Sequence, residues 1–479
     1  MSDKPAEPRA LRDSALYFGA QLGARALNFV YFLILTQTLP VDEFGVLNYA
    51  LSIIILLDIL VDLGLSRHAM REISKDHGLG GAFIKRILPY KLAASTLVFA
   101  GFCLIISLSD QAPIYKTINI LAALGLFFTS PAMLFENVLQ AHHRFSLISF
   151  AHIALSVLQF AVGGVILWLG GSTVLISLTF ALTYFTYAGI VGWGVWKLRL
   201  DFPPRADFPE LLRSVPSSFP YLVSALVIMF AIRAEFVILG YFGTKENLAV
   251  FGMATKIIEA SLLMPLAFST VMSPRFSNAH GKSTQVLSRV YAGGLEMILL
   301  LAIPTTLISM ALVPLAQYIL GYGDYGEVGA ILYITFLGYP AASVFTYNTA
   351  ALFGAVRQFR PLVILTSLGL LQVAINIGFQ SAYGMTGAAI AFVVFMYVAA
   401  LFTTVSIVLL YARGAALWSA FAAPLAGAVL AGSVLAIFGV STLSLVAALL
   451  LCCGASWGVR LAFPARVTSL ELNPDAEPA

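Results

Sequence analysis

Ionisable side chains stand inside long apolar stretches of this sequence: Arg25, Asp58, Asp62, Arg233, Glu235, Lys256 and Glu259. An arginine, lysine or aspartate at the centre of a membrane helix costs about 2.5–3.5 kcal/mol, so several of them mark function rather than helix stability. Their spacing sorts them by face. Gln21, Arg25 and Asn28 fall at i, i+4 and i+7 on one side of a helix, and Asp58 and Asp62 share a side at i and i+4. Lys256 and Glu259 are three apart, whereas Arg233 and Glu235 are two apart and point to different faces. Guanidinium and ammonium groups suit a phosphate-type anion, guanidinium especially, because it stays charged and donates in a planar fork. The carboxylates Asp58, Asp62, Glu235 and Glu259 suit a proton or a sodium ion. The alternative is mutual neutralisation, Arg25 with Asp58 and Lys256 with Glu259.

Uncharged polar stripes accompany the charges. His152, Ser156 and Gln159 share one helix face, Gln372, Asn376 and Gln380 another, and Tyr184 and Tyr187 a third. Amides, hydroxyls and aromatic rings bind sugars by hydrogen bonding and stacking, and they equally hold helices together. Asp62, Arg67 and Arg71 sit at a helix end, where they form either an ion-paired gate or an ordinary solvated terminus. Lys91 and Glu136 are expected to pair structurally. Gly163-Gly164 and Gly293-Gly294 permit close helix approach, and Pro265, Pro304 and Pro340 mark bends.

The elements that must position these residues are membrane helices. Of 479 residues, 60% are hydrophobic and only 10% charged, against roughly 25% charged in a soluble domain. Soluble enzymes, nucleic-acid binders and disordered scaffolds are excluded. The cysteines Cys103, Cys452 and Cys453 all lie in apolar runs without metal-ligand spacing. Apolar runs predict an all-α polytopic protein of about 14 spans. The first six are Ser14–Leu39, Gly45–Leu65, Ile87–Leu108, Thr117–Gln140, Phe145–Leu169 and Thr173–Trp196. The next six are Ser217–Phe242, Leu248–Met272, Val290–Val313, Val328–Phe353, Pro361–Ser381 and Met385–Tyr411. Leu417–Phe438 and Thr442–Phe463 complete the set.

Lysines and arginines alternate between loops as such a count requires. Lys85, Arg86, Arg144, Lys197, Arg199, Arg275, Lys282 and Arg357 fall on one side, and only Lys116 and Lys245 on the other. The positive-inside rule therefore places both termini in the cytoplasm, with the first apolar segment an uncleaved anchor. Short loops and the lack of a phosphate-binding glycine loop argue against ATP use and against catalysis. The organisation expected is a tail (1–13), a first bundle of six helices (14–196) and a basic, proline-containing linker (197–216). A second bundle of six (217–411), two added helices (412–463) and a cytoplasmic tail (464–479) follow. A weak internal repeat supports the two bundles: Ser14 and Tyr17 recur as Ser218 and Tyr221, and EFGVLNYALSI (43–53) aligns with NLAVFGMATKI (247–257).

The stretch ARALNFVYFLILTQTLPVDEFGVLNYALSIIILLDILVDLGLSRHAMREI resembles the start of Wzx-type lipid-linked oligosaccharide flippases. These belong to the multidrug/oligosaccharidyl-lipid/polysaccharide exporter superfamily. IRAEFVILGYFGTKENLAVFGMATKIIEASLLMPLAFSTVMSPRFS is similar to a second block of that family, with Glu235 where Asp is common. The resemblance implies two pseudo-symmetric bundles that open alternately to the two sides of the inner membrane. It implies a polyprenyl-pyrophosphate-linked oligosaccharide as cargo, for O-antigen, capsule or exopolysaccharide synthesis, and other polysaccharide assembly proteins of the membrane as partners. Arg25, Arg233 and Lys256 would then hold the pyrophosphate in a cavity between the bundles. Gln21, Asn28, Gln159, Tyr184, Gln372 and Asn376 would meet the sugars. No cofactor is expected, and an H+ or Na+ gradient would supply energy. The alternatives are a cation-coupled drug exporter of the same superfamily, whose cavity should be rich in carboxylates, and an integral-membrane glycan polymerase.

Overall fold

The computed structural model describes residues 7–202, 233–282, 284–320, 326–355 and 359–410, with isolated positions between 445 and 450. They are helical throughout, with no strand among the described residues. The first helices are α1 (Glu7–Thr38), α2 (Val41–Asp62), α3 (Leu65–Lys75) and α4 (Gly80–Leu108). They are followed by α5 (Pro113–Ala123), α6 (Leu126–Ala141), α7 (Phe145–Trp168) and α8 (Thr173–Lys197). Then come α9 (233–242), α10 (Lys245–Ser261), α11 (Leu263–Lys282), α12 (Thr284–Leu320), α13 (Val328–Leu337), α14 (Tyr339–Ala355) and α15 (Phe359–Leu410).

Among the described residues, eight helices or helix pairs are long and apolar enough to cross a membrane, nine if the bent pair α13–α14 is one span. The all-helical polytopic architecture read from the sequence is borne out; the number fourteen is not fixed by these residues. The expected spans Ser217–Phe242, Leu417–Phe438 and Thr442–Phe463 lie wholly or mostly outside the described residues, as do most of the linker, the added-helix segment and the final tail. α1 already covers Glu7 onward, within the stretch expected as the N-terminal tail.

Several spans are broken, for local reasons. Thr117–Gln140 divides into α5 and α6 around Leu124 and Gly125. Val328–Phe353 bends by 50° between α13 and α14, where Pro340 lacks an N–H and its ring crowds the carbonyl four residues back. Pro304, in contrast, lies within the continuous α12. At about 1.5 Å per residue α15 is too long for one crossing, and Gly384, at φ +55°, interrupts it where two spans were expected. α2 stops at Leu63 and Gly64, both left-handed, so that α3 leaves in a new direction.

The chain forms two compact units: Met1–Ala260 with Leu365–Met385, and Ser261–Ile364 with Thr386–Ala479. Hydrocarbon does not drive apolar faces together, so small residues and polar side chains make the helix contacts. In the second unit Tyr291 donates to Asn348 Oδ1 (2.7 Å), and Asn348 Nδ2 donates to Thr403 (3.0 Å) and Thr404 (2.8 Å), joining α12, α14 and α15. Tyr347 lies over Gly294, where a Cβ would come within 2.1 Å of its hydroxyl. The first unit repeats the device, with Tyr31 of α1 against Gly163 of α7. Gly164 faces open space instead.

The helices that carry the site meet through another glycine. A Cβ on Gly45 of α2 would lie 2.0 Å from the backbone carbonyl oxygen of Lys245, which opens α10. Backbone cannot swing aside as a side chain can. Gly45→Val is therefore expected to force α2 and α10 apart and to cost about 1–3 kcal/mol, read as a lowered melting temperature of the purified protein in detergent.

Candidate functional site

The first unit contains a cavity of about 480 Å³ lined by polar and ionisable side chains from seven helices. α1 contributes Asn28, α2 Asn48 and Asp58, and α6 Thr129 and Glu136. α7 and α8 add His152, Gln159, Tyr184 and Tyr187, while α9 and α10 add Arg233 and Lys256. The spacing of Thr129 and Glu136 on α6, His152 and Gln159 on α7, and Tyr184 and Tyr187 on α8 places each pair on one helix face, which turns inward.

Three charge groups border this space. In the first, Glu259 takes Lys256 Nζ at 3.0 Å and Arg233 Nη1 at 3.6 Å. Arg25, exposed on α1, lies within electrostatic reach of the same carboxylate and makes no ion pair among the described residues. Two cations thus share one carboxylate. Arg233 also keeps its Nε buried with no acceptor, so its donor capacity is not exhausted.

The second group is acidic. Lys91, fully buried on α4, lies 2.6 Å from Asp62 Oδ1 and donates to the Ser130 carbonyl oxygen at 2.7 Å. Ser66 donates to the same Asp62 oxygen. Asp58, one turn earlier, faces the cavity with Oδ1 buried and unpartnered. Two carboxylates thus stand against one ammonium in a low-dielectric setting. Lys91 was expected to meet Glu136. The structure gives it to Asp62 instead, at the last residue of α2.

Glu136 builds the third group. Its Oε2 accepts from Tyr187 at 2.6 Å and its Oε1 from Gln140 at 3.0 Å, and His152 Nε2 stands 3.5 Å from the same Oε1. Glu136 is a cavity residue that the sequence reading took as a structural partner of Lys91. The usable signal was the spacing of Thr129, Met133 and Glu136, which puts them on one face of α6.

The remaining candidates fall elsewhere. Gln21, Arg25, Asp62, Glu235, Glu259, Gln372 and Asn376 do not line this cavity. Glu235 is buried, with Gln372 Nε2 at 3.4 Å from its carboxylate and Gln380 Nε2 at 3.3 Å from its carbonyl oxygen. Asn376 accepts from Gln380 at 2.9 Å. The polar stripe 372–380 thus anchors α9 rather than opening to a ligand here. The side chains of Arg67 and Arg71 lie outside the described residues.

A family model described as "Polysaccharide biosynthesis protein" matches residues 10–280, more than half of the chain. The chain belongs to that family. The match spans both stretches that carry the resemblance noted in the sequence. The fold of this polysaccharide biosynthesis protein is shared with known transporters. It is similar to the lipid II flippase MurJ in an inward closed conformation (TM-score 0.73, 12% identity, 94% of this chain and 99% of that one). It is also similar to an inward-facing multidrug resistance MATE family transporter of the MOP superfamily (TM-score 0.62, 17% identity, 83% and 96%). A MOP superfamily transporter from Pyrococcus furiosus matches at TM-score 0.61 and 15% identity, over 85% and 98% of the chains. A comparison with curated protein sequences returned no significant match. This chain is a multi-pass membrane protein with a fold like that of known flippases and transporters.

Proposed function

We propose that this protein is a Wzx-type flippase. It carries polyprenyl-pyrophosphate-linked oligosaccharide from the cytoplasmic to the outer leaflet of the inner membrane by alternating access, without catalysis. The observation that carries this reading is the cationic corner of the cavity, where Arg233 and Lys256 share the single carboxylate of Glu259. A pyrophosphate accepts from both cations, and Arg25, within electrostatic range of Glu259, adds a further positive charge. Asn28, Gln159 and Tyr184 offer amides and a ring to the sugars, while the polyprenyl chain stays in lipid. Family membership and the placement of Lys and Arg, which sets both termini in the cytoplasm, support the same reading.

The test is genetic. In cells that depend on this protein for a surface polysaccharide, Arg233→Gln with Lys256→Gln should abolish lipid-linked sugar on the outer leaflet at normal protein abundance. Arg25→Ala, at the exposed edge, should reduce it by roughly tenfold, the weight of one charged hydrogen bond. Undiminished flipping by the Arg233/Lys256 variant would overturn the assignment.

Asp58 is the coupling residue in this account. Its buried, unpartnered oxygen faces the cavity, and proton or sodium binding there neutralises the excess charge beside Lys91 and Asp62. Asp58→Asn is expected to make transport in proteoliposomes indifferent to an imposed H+ or Na+ gradient. A gradient response equal to that of the wild type would contradict this.

The carboxylates Asp58 and Glu136 on the same wall favour a second reading, a cation-coupled exporter of organic cations. It predicts that Glu136→Gln abolishes efflux of a cationic dye, and that the Arg233/Lys256 variant does not.

A further inference from the structure

A second concavity, of about 990 Å³, lies on the first unit away from the polar cavity, where α4 begins, α6 ends, α7 begins and α8 ends. Its wall is apolar and aromatic, from Phe135, Trp193, Trp196 and Phe202 among others. Its rim carries Arg144, Lys197 and Arg199, all exposed, and no acidic side chain lines it. None of the three makes an ion pair among the described residues. Lys197 lies 3.6 Å above the centre of the Trp193 ring, which holds its ammonium at the groove without neutralising it.

The corner is built by the backbone. After α8 the chain turns at Arg199, a non-glycine residue at φ +49°. It then docks on the start of α4, where a Cβ at Gly81 would fall 2.0 Å from the Asp201 carbonyl oxygen. That contact fixes the rim residue Arg199 in place. The groove is thus apolar toward its wall and cationic at its edge. Exposed tryptophans, which favour the membrane–water boundary, stand at this end of the bundle, and the basic loops assign that end to the cytoplasm.

We infer that this groove binds an anionic phospholipid of the cytoplasmic leaflet, with the phosphodiester at Arg144, Lys197 and Arg199 and an acyl chain against the Trp193–Phe135 wall. The occupant follows from charge complementarity. A zwitterionic lipid brings its own cation and gains little from three unpaired ones, whereas an anionic headgroup supplies the charge they lack. The site is separate from the cavity of the proposed transport reaction and stands whether or not that reaction is correct.

The test uses the full chain in nanodiscs made from equal parts phosphatidylglycerol and phosphatidylcholine, with retained lipid measured by native mass spectrometry after detergent release. Wild type should retain phosphatidylglycerol over phosphatidylcholine. The variant Arg144→Gln/Lys197→Gln/Arg199→Gln should lose at least roughly tenfold of that preference. Gly192→Leu keeps every charge and fills the groove beside Phe135, whose ring lies 3.4 Å from a Cβ built there; it should lower retention of the anionic lipid to the level of the triple variant. A wild type that retains both lipids equally, or variants that match wild type, would overturn the proposal. So would displacement of phosphatidylglycerol by equimolar polyprenyl diphosphate from wild type but not from Arg233→Gln/Lys256→Gln, since the lipid would then occupy the transport cavity.

Discussion

Replacing Lys91 by alanine is expected to destabilise the protein by about 3–5 kcal/mol, the usual cost of leaving one member of a buried ion pair alone. Lys91 is fully buried, and its ammonium is committed to Asp62 and to the Ser130 carbonyl oxygen. Removal leaves Asp62 and Asp58 one turn apart on α2 without the ammonium that offsets them. The matched change Lys91→Met with Asp62→Leu removes charge from both sides and keeps the volume. It should recover most of the loss, because a buried ion pair barely repays its own desolvation. Thermal unfolding of the two variants in detergent checks this. Equal melting temperatures for wild type and Lys91→Ala would show that the pair carries no weight.

The second large effect concerns transport rather than folding. Arg233→Gln with Lys256→Gln is expected to slow translocation by at least about a hundredfold, since each charged hydrogen bond to the cargo is worth roughly 1.5–3 kcal/mol. The fold should survive. Both side chains border a cavity, and Glu259, the carboxylate they release, keeps the favourable field of Arg25. Arg233→Lys alone should recover only part of the activity, because an ammonium keeps the charge but lacks the planar fork. Lys256→Arg, in contrast, should be tolerated.

Much of this was legible from spacing alone. Apolar runs marked α2, α4, α7, α8 and α12, and the three-residue interval between Lys256 and Glu259 gave their ion pair, now seen at 3.0 Å. What a single sequence did not disclose is register between helices. Lys91 sits at a depth compatible with Asp62 or Glu136, and only the packing of α4 against its neighbours brings it to Asp62. Gln372, Asn376 and Gln380 form as regular a polar stripe as Gln21, Arg25 and Asn28. Yet the first turns to Glu235, and of the second only Asn28 reaches the cavity. Polar stripes report that a helix has a polar neighbour without saying whether it is protein or cargo. Asn348 shows the same ambiguity, as one amide within an apolar helix that joins α12, α14 and α15.

The central claim is that the Arg233–Lys256 corner grips a pyrophosphate headgroup. Its most direct test is the rate at which purified protein in proteoliposomes moves a fluorescent polyprenyl-diphosphate oligosaccharide across the bilayer, followed by the onset of accessibility to an impermeant quencher. Wild type should flip the diphosphate and leave the corresponding neutral polyprenol-linked sugar behind, and Arg233→Gln/Lys256→Gln should flip neither. Equal rates for the charged and neutral cargo, or a double variant as fast as wild type, would contradict the account.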